Sequence, residues 1–358
     1  MNSCRIAVVG ATGAVGRVFL RMLEERKFPA SEIRVCASER SVGKRLSVNG
    51  QELVIEQATP KLLSEVDFAF ISANGAVSRE LAPVAKAQGA LVIDDSSAFR
   101  MDPDVPLIVP EVNAGDLDGH RGIVSIPNCS TTPLVMVLQP LMKVAGVRRV
   151  VVDTYQSVSG TGSAAVEELH AQSAHVLALR QAQGERDGGE HHSVKPKVYP
   201  HQIAFNALPQ VENFLENGYT TEEMKMVNET RKILHAPELM VSATCVRIPV
   251  AVCHSEAIHI EFDRPVSPGE VRETLSAFPG VAVLDDPESS VYPMPVHAEG
   301  KDEVFVGRIR RDISHPNGIV MWVVSDNLRK GAALNALQIA EEVLSRELLV
   351  ASRGRAKS

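Results

Sequence analysis

Residues 5–16 read R-I-A-V-V-G-A-T-G-A-V-G, and this stretch decides the fold class. Apolar residues run up to Gly10 as in a buried strand, and an amphipathic, helix-like pattern follows over residues 15–25. Glycines between a strand and a helix allow a tight turn and let a pyrophosphate approach the helix N-terminus. The spacing G-x-x-G-x-x-G varies from the usual G-x-G-x-x-G, so a turn that only packs the strand against the helix is the alternative. The position of the glycine motif between the first strand and the first helix favours a dinucleotide site.

Two groups of residues would contact the dinucleotide. Those of the glycine turn are Gly10, Thr12, Gly13, Ala14, Val15 and Gly16. Those after the second predicted strand, where the adenosine ribose binds in such folds, are Ser38, Arg40 and Ser41. Hydroxyl and guanidinium groups suit a 2′-phosphate, whereas an acidic residue suits a 2′-hydroxyl. Glu39 stands among them, and a solvated charged loop is the alternative, but the balance predicts NADP as the cofactor.

Strand and helix patterns divide the chain into two domains. Up to about residue 128 they alternate, which predicts a parallel sheet built from βαβ units. The strands predicted there are residues 5–9, 33–37, 68–71 and 91–94, and the helices are residues 15–25 and 78–88. The strands predicted beyond are residues 150–155, 240–246, 257–262, 304–310 and 319–325, and the helices are residues 133–144, 163–183 and 331–349. The sequence therefore predicts an α/β chain, with a Rossmann-like domain and an α+β domain that has a mixed sheet.

Length and composition exclude several classes of protein. With 358 residues the chain exceeds one ordinary core, and its net charge of −7 argues against a nucleic-acid-binding surface. No apolar run reaches the roughly 18 residues that span a bilayer, and residues 1–10 do not form a signal peptide. Five unclustered cysteines favour a reducing compartment, so we expect a cytoplasmic protein. Residues 183–200 are polar and predict a surface excursion, and residues 352–358 predict a disordered tail.

Cys129 is the cysteine whose surroundings suggest chemistry. It lies in I-P-N-C-S-T-T, residues 126–132, between an apolar run and a predicted helix. The positive end of a helix dipole and free backbone amides lower the pKa of a thiol, and the thiolate is the nucleophile. The same amides can stabilise an oxyanion on the carbon that sulfur attacks. A small buried residue is the alternative for Cys129, as it is for the other four cysteines, which lie in apolar runs.

A thiolate needs a partner that moves protons, and His254 is the best candidate. It follows an apolar run in R-I-P-V-A-V-C-H-S-E, residues 247–256. His259 competes, but it stands within an alternating strand pattern and can face solvent or core. His191 and His192 lie in a polar stretch without a second ligand pair at metal spacing, so we expect no metal site.

Taken together, the motifs resemble those of aspartate-semialdehyde dehydrogenases over nearly the whole chain. Besides the glycine turn they are S-S-A-F-R (96–100), P-N-C-S-T (127–131), Y-Q-S-V-S-G-T-G (155–162), E-E-M-K (222–225), R-I-P-V-A-V-C-H-S-E (247–256), V-G-R-I-R-R-D (306–312) and D-N-L-R-K-G-A (326–332). Several motifs in a fixed order are more specific than any single glycine loop. The resemblance implies reversible reduction of L-aspartyl-4-phosphate by NADPH to L-aspartate-4-semialdehyde and phosphate. It places this reaction on the route to lysine, threonine and methionine, with a cysteine thioester as the intermediate.

The resemblance also implies a role for each matching residue. The catalytic set is Cys129 as nucleophile, His254 as general acid/base and Gln156 to orient the substrate or the covalent intermediate. The substrate set is Arg247 for the α-carboxylate, Glu222 for the amino group, and Arg100, Lys225 and Asn128 for the phosphate. The residues implied for the nicotinamide are Ser159, Gly160 and Asn327. By spacing alone, Glu222 and Lys225 would more often form a surface ion pair.

Domain boundaries and an oligomeric state follow from the same resemblance. Residues 1–128 and 327–358 would form a discontinuous NADP-binding domain, closed by the last helix. Residues 129–326 would form the catalytic and dimerisation domain, and two copies would associate through its sheet into a homodimer.

Four alternatives stay open. An N-acetylglutamyl-phosphate reductase and a glyceraldehyde-phosphate dehydrogenase use a cysteine and a histidine on a similar plan, but their substrates offer no cation to Glu222. A catalytically inactive dimer would bind NADP without turnover. A thiol hydrolase would leave the dinucleotide turn without a purpose.

Overall fold

The computed structural model describes residues 3–48, 50–183 and 195–349. The predictions for His191, His192 and the tail at 352–358 fall outside these ranges, as does most of the polar segment at 183–200. Residues 195–200 of that segment follow a bent, largely exposed path. Within the described ranges, no helix is both long and apolar enough to cross a membrane.

The first part of the chain alternates strands and helices. The strands are β1 (Cys4–Val9), β2 (Ala30–Cys36), β3 (Arg45–Val48), β4 (Gln51–Val54), β5 (Phe68–Ile71), β6 (Leu91–Asp94) and β7 (Ile123–Ser125). The helices are α1 (Ala14–Glu25), α2 (Pro60–Ser64), α3 (Gly75–Ala87) and α4 (Pro110–Asn113). The predicted elements are all present, and their ends differ from the predicted ones by at most three residues.

Five of these strands form one parallel sheet in the order β2-β1-β5-β6-β7. β5 and β6 are buried throughout, as expected for a sheet covered by helices on both faces. The predicted Rossmann-like sheet is therefore confirmed. β3 and β4 form a separate antiparallel hairpin, which the sequence did not predict because its residues are mostly polar and exposed.

The sheet contains a crevice of the kind that binds ligands in open α/β folds. β2, the strand that follows β1 in the chain, lies on one side of β1, and β5 lies on the other side. The connections to these two strands therefore diverge at the carboxyl end of β1 and leave a crevice there. Gly10 lies at this point with φ of +87°, and a Cβ there would stand 1.9 Å from the Ser72 carbonyl oxygen. A Cβ on Gly16 would stand 2.3 Å from the carbonyl oxygen of Gly10. Both glycines thus serve close packing, while Gly13 lies at the start of α1 beside the crevice.

The second part of the chain is built around one larger sheet. Its strands are β8 (Val147–Gln156), β9 (Met240–Arg247), β10 (His254–Phe262), β11 (Val281–Val283), β12 (Val304–Arg311) and β13 (Gly318–Ser325). Its helices are α5 (Thr131–Ala145), α6 (Ser163–Gln183), α7 (Thr221–Ile233), α8 (Pro268–Ser276) and α9 (Pro295–Ala298). The strand order is β11-β12-β13-β10-β8-β9, with parallel pairs at both edges and antiparallel pairs between them, so the predicted mixed sheet is confirmed.

One face of the mixed sheet packs against helices and the other is more open. α5, α7 and α8 supply most of the apolar side chains that meet strand residues such as Val152 and Ile258. α7 and α8 each begin with a capping box, in which the N-cap hydroxyl and the glutamate three residues later exchange hydrogen bonds with the backbone. On the opposite face, Met240 and Tyr155 are each more than a third exposed.

The chain finally returns to the parallel sheet. A π-helical turn, Arg329–Ala333, precedes α10 (Leu334–Ser345), where the sequence predicted one helix over residues 331–349. α10 packs in the same core as β1 and β5. Lys330, in the turn, is buried, and its Nζ lies 2.5 Å from Glu111 Oε2 on α4. This ion pair holds the irregular turn in place. The periodicity of apolar residues in the sequence could not predict the geometry of this turn.

We expect Glu111→Gln to lower the free energy of unfolding by about 3 kcal/mol, because the Lys330 ammonium would stay buried without a counter-charge. Chemical denaturation measures this change. The matched control is Glu341→Gln, whose partner Arg26 is 33% exposed, and there we expect a loss below about 1 kcal/mol. Equal losses in the two variants would contradict the prediction.

Candidate active site

Loops from both domains enclose a cavity of about 820 Å³. The loops after β1, β5, β6 and β7 contribute one wall, so the cavity lies at the carboxyl edge of the parallel sheet. β8, β9, α7 and the return turn contribute the opposite wall. The predicted site residues on the lining are Gly13, Ala14, Val15, Arg100, Asn128, Cys129, Gln156, Ser159, Gly160, Glu222, Lys225, Arg247 and Asn327. The residues that line the cavity thus include some that are more than three hundred positions apart in the sequence.

Cys129 and His254 meet at the cavity wall. Cys129 lies between β7 and α5, and its Sγ is 3.2 Å from Nε2 of His254, the first residue of β10. His259, the competing histidine, lies on the opposite face of β10, with its side chain 45% exposed near Asp312. The geometry therefore selects His254 as the partner of the sulfur.

Two backbone features hold this pair in place. Cys253, directly before His254, adopts φ of +75°, a conformation that L-residues rarely occupy, and its N–H donates to Asn327 Oδ1 at 2.9 Å. Gly331 packs directly on Cys129, since a Cβ there would stand 2.9 Å from Cys129 Cβ. Strain and close packing of this kind are concentrated at functional sites.

The expected lowering of the Cys129 pKa by the helix start is wrong for this chain. Burial raises the pKa of the Cys129 thiol to about 12, Glu222 adds to the rise, and Arg247 and Arg100 oppose it. Two of the backbone amides near the sulfur are engaged elsewhere. The Ser130 N–H donates to the Asn128 side chain and the Thr132 N–H to the Asn128 carbonyl.

His254 is neutral at physiological pH. Burial, with Arg247 beside it, lowers its pKa to about 3. Its Nδ1 receives the Ser157 N–H at 3.0 Å and lies 3.1 Å from the Ser157 hydroxyl. Gly160 leaves the space next to the ring open, because a Cβ there would come within 3.3 Å of Nε2.

Glu222 is a buried carboxylate inside the cavity. Its Oε1 accepts hydrogen bonds from Asn128 Nδ2 at 2.9 Å and Gln156 Nε2 at 3.1 Å, and Lys225 Nζ lies 3.3 Å from Oε2. Burial acts to raise its pKa, but Lys225 and the two amide donors outweigh burial, so the pKa is lowered. Lys225 also pairs with Glu212. Glu222 and Lys225 thus form the ion pair that their spacing alone suggested, but both residues line the cavity and not the outer surface.

Arg247 and Arg100 bring guanidinium groups to the cavity. Arg247 Nη1 donates to the Ser157 carbonyl at 2.6 Å, and its buried Nε has no partner in the described structure. Arg100 Nη1 donates to Glu229 at 3.1 Å, and its buried Nε is likewise without a partner there. Both arginines line the cavity, where an anionic ligand can pair with their guanidinium groups.

Glu229 and Ser157 are site residues that the sequence analysis missed. Glu229 Oε2 accepts the Asn128 N–H at 2.6 Å while Oε1 holds Arg100, so one carboxylate fixes two cavity residues. The sequence did contain a signal for Glu229, because this residue lies seven positions after Glu222 and hence on the same face of α7. No sequence signal distinguishes Ser157 from other serines near a strand end.

The residues expected to hold the dinucleotide divide into three places. Gly13, Ala14 and Val15 line the cavity, whereas the Thr12 carbonyl accepts from Arg17 Nε at 3.1 Å. The predicted ribose residues Ser38, Arg40 and Ser41 lie in or next to the 3₁₀ turn Glu39–Ser41, beyond the end of β2. Asn327 Oδ1 is engaged by protein donors, from Ser157, Ser159 and Cys253, and one Nδ2 hydrogen remains for a ligand. Among the described residues, no three His, Cys, Asp or Glu side chains converge as for a metal ion.

The fold and site match two models of one protein class. The semialdehyde dehydrogenase NAD binding domain matches residues 5–120, and the semialdehyde dehydrogenase dimerisation domain matches residues 138–330. The chain is thus a semialdehyde dehydrogenase by architecture.

Comparison with related proteins identifies the family within this class. The chain is 51% identical to aspartate-semialdehyde dehydrogenase of Aquifex aeolicus, over 96% of this chain and 99% of the relative. It is 49% identical to that of Bacillus subtilis, over 94% and 96%. The chain belongs to the aspartate-semialdehyde dehydrogenase family. Among solved structures, aspartate semialdehyde dehydrogenase II of Vibrio cholerae complexed with ASA superposes with a TM-score of 0.90 at 42% identity, over 96% of this chain and 99% of that one.

We expect Gly331→Ala to lower kcat about 10- to 100-fold, because the new methyl group displaces Cys129 from His254 and small misplacements of reacting groups are costly. Steady-state kinetics measure the effect. The control is Gly115→Ala, where a Cβ meets nothing within 4 Å. A kcat within twofold of the parent protein would contradict the prediction.

Proposed function

We propose that this chain catalyses the reversible, NADPH-dependent reduction of L-aspartyl-4-phosphate to L-aspartate-4-semialdehyde and phosphate. The observation that carries the proposal is the 3.2 Å contact between Cys129 Sγ and His254 Nε2, in a cavity that the glycine turn also lines. The names of the relatives and the ASA complex of the Vibrio cholerae protein support it. The reaction would serve the synthesis of lysine, threonine and methionine.

Cys129 supplies the nucleophile in this proposal. Its sulfur attacks the acyl carbon and displaces phosphate, which leaves a thioester on the chain. NADPH, when bound, supplies the hydride that reduces the thioester. His254, whose Nε2 lies 3.2 Å from the sulfur, would take and return its proton as the general acid/base. Gln156, held by Glu222 and Ser130, would orient the acyl group.

The cavity offers a complementary group for each charge of the substrate. Glu222 would bind the ammonium, because it is buried, ionised and inside the cavity. Arg247 lines the cavity and would bind the α-carboxylate, in the forked geometry that guanidinium favours. Arg100, Lys225 and Asn128 would hold the phosphate.

Glu222 also weighs against the alternatives. An N-acetylated or amine-free substrate would leave this buried carboxylate without a ligand cation, which disfavours an N-acetylglutamyl-phosphate or glyceraldehyde-phosphate enzyme. A catalytically inactive dimer has no need for the Cys129–His254 contact. A thiol hydrolase would not require the crevice at the carboxyl edge of β1 and β5.

NADP is the cofactor we propose, with NAD as the less favoured choice. Gly13, Ala14 and Val15 bring the N-terminus of α1 to the cavity without a bulky side chain, which fits a pyrophosphate. Arg40 and its neighbouring hydroxyls lie where a 2′-phosphate would reach, although Glu39 stands beside them. The NADP complex of the Candida albicans enzyme, at 26% identity and a TM-score of 0.74 over 97% of this chain and 99% of that one, supports this choice.

A homodimer through the open face of the mixed sheet completes the proposal. The match to a dimerisation domain supports self-association. Tyr155 and Trp322 contact each other on this face, with ring centroids 5.3 Å apart and ring planes tilted by 50°, and Met240 on the same face is 47% exposed. The discontinuous NADP-binding domain, residues 1–128 and 327–358, and a cytoplasmic location stay predictions. None of the five cysteines, all of which are described, forms a disulfide, in keeping with a reducing compartment.

The proposed reaction predicts phosphate-dependent oxidation of L-aspartate semialdehyde, followed as NADPH absorbance. Cys129→Ser should lower kcat by at least about 10³-fold, because a serine hydroxyl without a strong base is a poor nucleophile. Cys4→Ser is the control, since Cys4 lies in β1, away from the cavity. No oxidation by the native protein would refute the proposed function, whereas full activity in Cys129→Ser would refute only the covalent step.

The cofactor assignment predicts that Arg40→Ala weakens NADPH binding about tenfold and leaves NADH binding nearly unchanged, because only NADPH loses a charge-assisted hydrogen bond. Fluorescence titration of both cofactors measures this difference. Arg121→Ala is the control, because exposed Arg121 precedes β7 at the amino edge of the same sheet. An equal effect on both cofactors would contradict the assignment.

A further inference from the structure

Lys225, on the cavity lining, lies between two carboxylates. Its Nζ is 3.3 Å from Glu222 Oε2 on the same helix, and it also pairs with Glu212, which precedes α7 in the chain. An ammonium group has three N–H donors, so only one remains for a ligand. The Lys225 side chain is 18% exposed, which leaves water little access to the ammonium. The lysine that would hold the phosphate is therefore already paired.

The two carboxylates differ in how firmly they are held. Glu222 is buried, and its Oε1 accepts hydrogen bonds from two side-chain amides. The Glu212 side chain is 42% exposed, and among the described residues only Lys225 pairs with its carboxylate. The backbone of Glu212 is fixed separately, because its carbonyl accepts Gln210 Nε2 at 3.1 Å. Glu212 can therefore leave the ammonium by rotation of its side chain alone, whereas Glu222 cannot.

A phosphate bound to Lys225 would meet a conflict of charges. Burial and Arg100 act to lower the pKa of Lys225, but Glu222 and Glu212 outweigh them, so the pKa is raised. The influence of Arg100 places the two cations close together, on one side of the cavity. A phosphate dianion between them would stand near both carboxylates, and like charges repel strongly where water is scarce. One carboxylate must withdraw, and Glu212 is the one that is free to do so.

We propose that Glu212 competes with phosphate for Lys225. Its carboxylate holds the ammonium before phosphate binds, and it swings towards solvent when phosphate takes its place. Glu212 is a positioning residue, because it acts through Lys225 and does not contact the substrate. The inference deepens the proposed function and rests on it for the identity of the anion.

This competition matters most for the release of phosphate. In the reductive direction phosphate is a product, set free when the sulfur of Cys129 displaces it from the acyl carbon. Departure of the dianion from Lys225 would leave a largely buried ammonium with one partner fewer, which is costly. The returning Glu212 carboxylate restores that partner. Glu212 thus lowers the affinity for phosphate and favours its departure.

Calorimetric titration of the full chain with inorganic phosphate, at constant ionic strength, tests the competition without turnover. We expect Glu212→Gln to lower the dissociation constant of phosphate about three- to tenfold, because the competing ion pair is removed. The control is Glu216→Gln, which removes the same charge from an exposed residue that does not line the cavity. An unchanged dissociation constant in Glu212→Gln, or an equal gain in both variants, would overturn the inference.

A second background tests whether Glu212 acts through Lys225. Lys225→Met removes the ammonium, so phosphate should bind more weakly and Glu212 has nothing left to compete for. In this background the line width of the ³¹P signal follows weak binding, and we expect no gain from Glu212→Gln. A gain as large as in the native chain would show direct repulsion between Glu212 and phosphate. That result, or undiminished phosphate binding in Lys225→Met, would overturn the inference.

Steady-state kinetics separate this inference from the proposed function. In the oxidation of L-aspartate semialdehyde, Glu212→Gln should lower the KM for phosphate about three- to tenfold and leave the KM for NADP unchanged. In the reductive direction, phosphate should inhibit the variant more strongly than the native enzyme. An active enzyme with an unchanged KM for phosphate would overturn the inference alone. Tighter phosphate binding by Glu212→Gln in a chain without dehydrogenase activity would refute the proposed function and leave the competition standing.

Discussion

The buried carboxylate of Glu229 makes two contacts that hold this site together. Glu229 accepts the backbone N–H of Asn128, which precedes the nucleophile, and at the same time pairs with Arg100 from the loop after β6. Because both of its oxygens are engaged, α7 of one domain is tied to two loops at the carboxyl edge of the parallel sheet. Loss of the Arg100 contact would leave a charge unpaired in a buried place, which is strongly destabilising. The position of Cys129 therefore depends on Glu229, a carboxylate that does not itself line the cavity.

Irregular backbone is concentrated around the same residue. Cys253 adopts φ of +75°, and the chain forms a π-helical turn at Arg329–Ala333. The first delivers His254 to the sulfur and the second brings Gly331 against Cys129. Regular strands and helices cannot converge this closely from two domains, so the strain is the physical consequence of joining them at a catalytic contact.

The sequence predicted the two sheets, because periodicity and the glycine turn are local signals. It predicted less than half of the cavity lining, and most of those residues came from the family resemblance. It could not predict that Gly10 and Gly16 serve packing, since the Ser72 carbonyl that Gly10 approaches is remote in sequence. It also misjudged the pKa of Cys129, because burial and the capture of the Ser130 amide by Asn128 depend on tertiary structure. Ser157 was missed for the same reason, as its role lies in a backbone N–H that every residue except proline carries.

The charges of the cavity bear on the timing of proton transfer. Arg100 and Arg247 are the groups that lower the pKa of the Cys129 thiol, against burial and Glu222. An anionic substrate that pairs with these arginines cancels much of their effect, so a free thiolate becomes less stable when the substrate is in place. Loss of the thiol proton is then favoured only together with formation of the S–C bond.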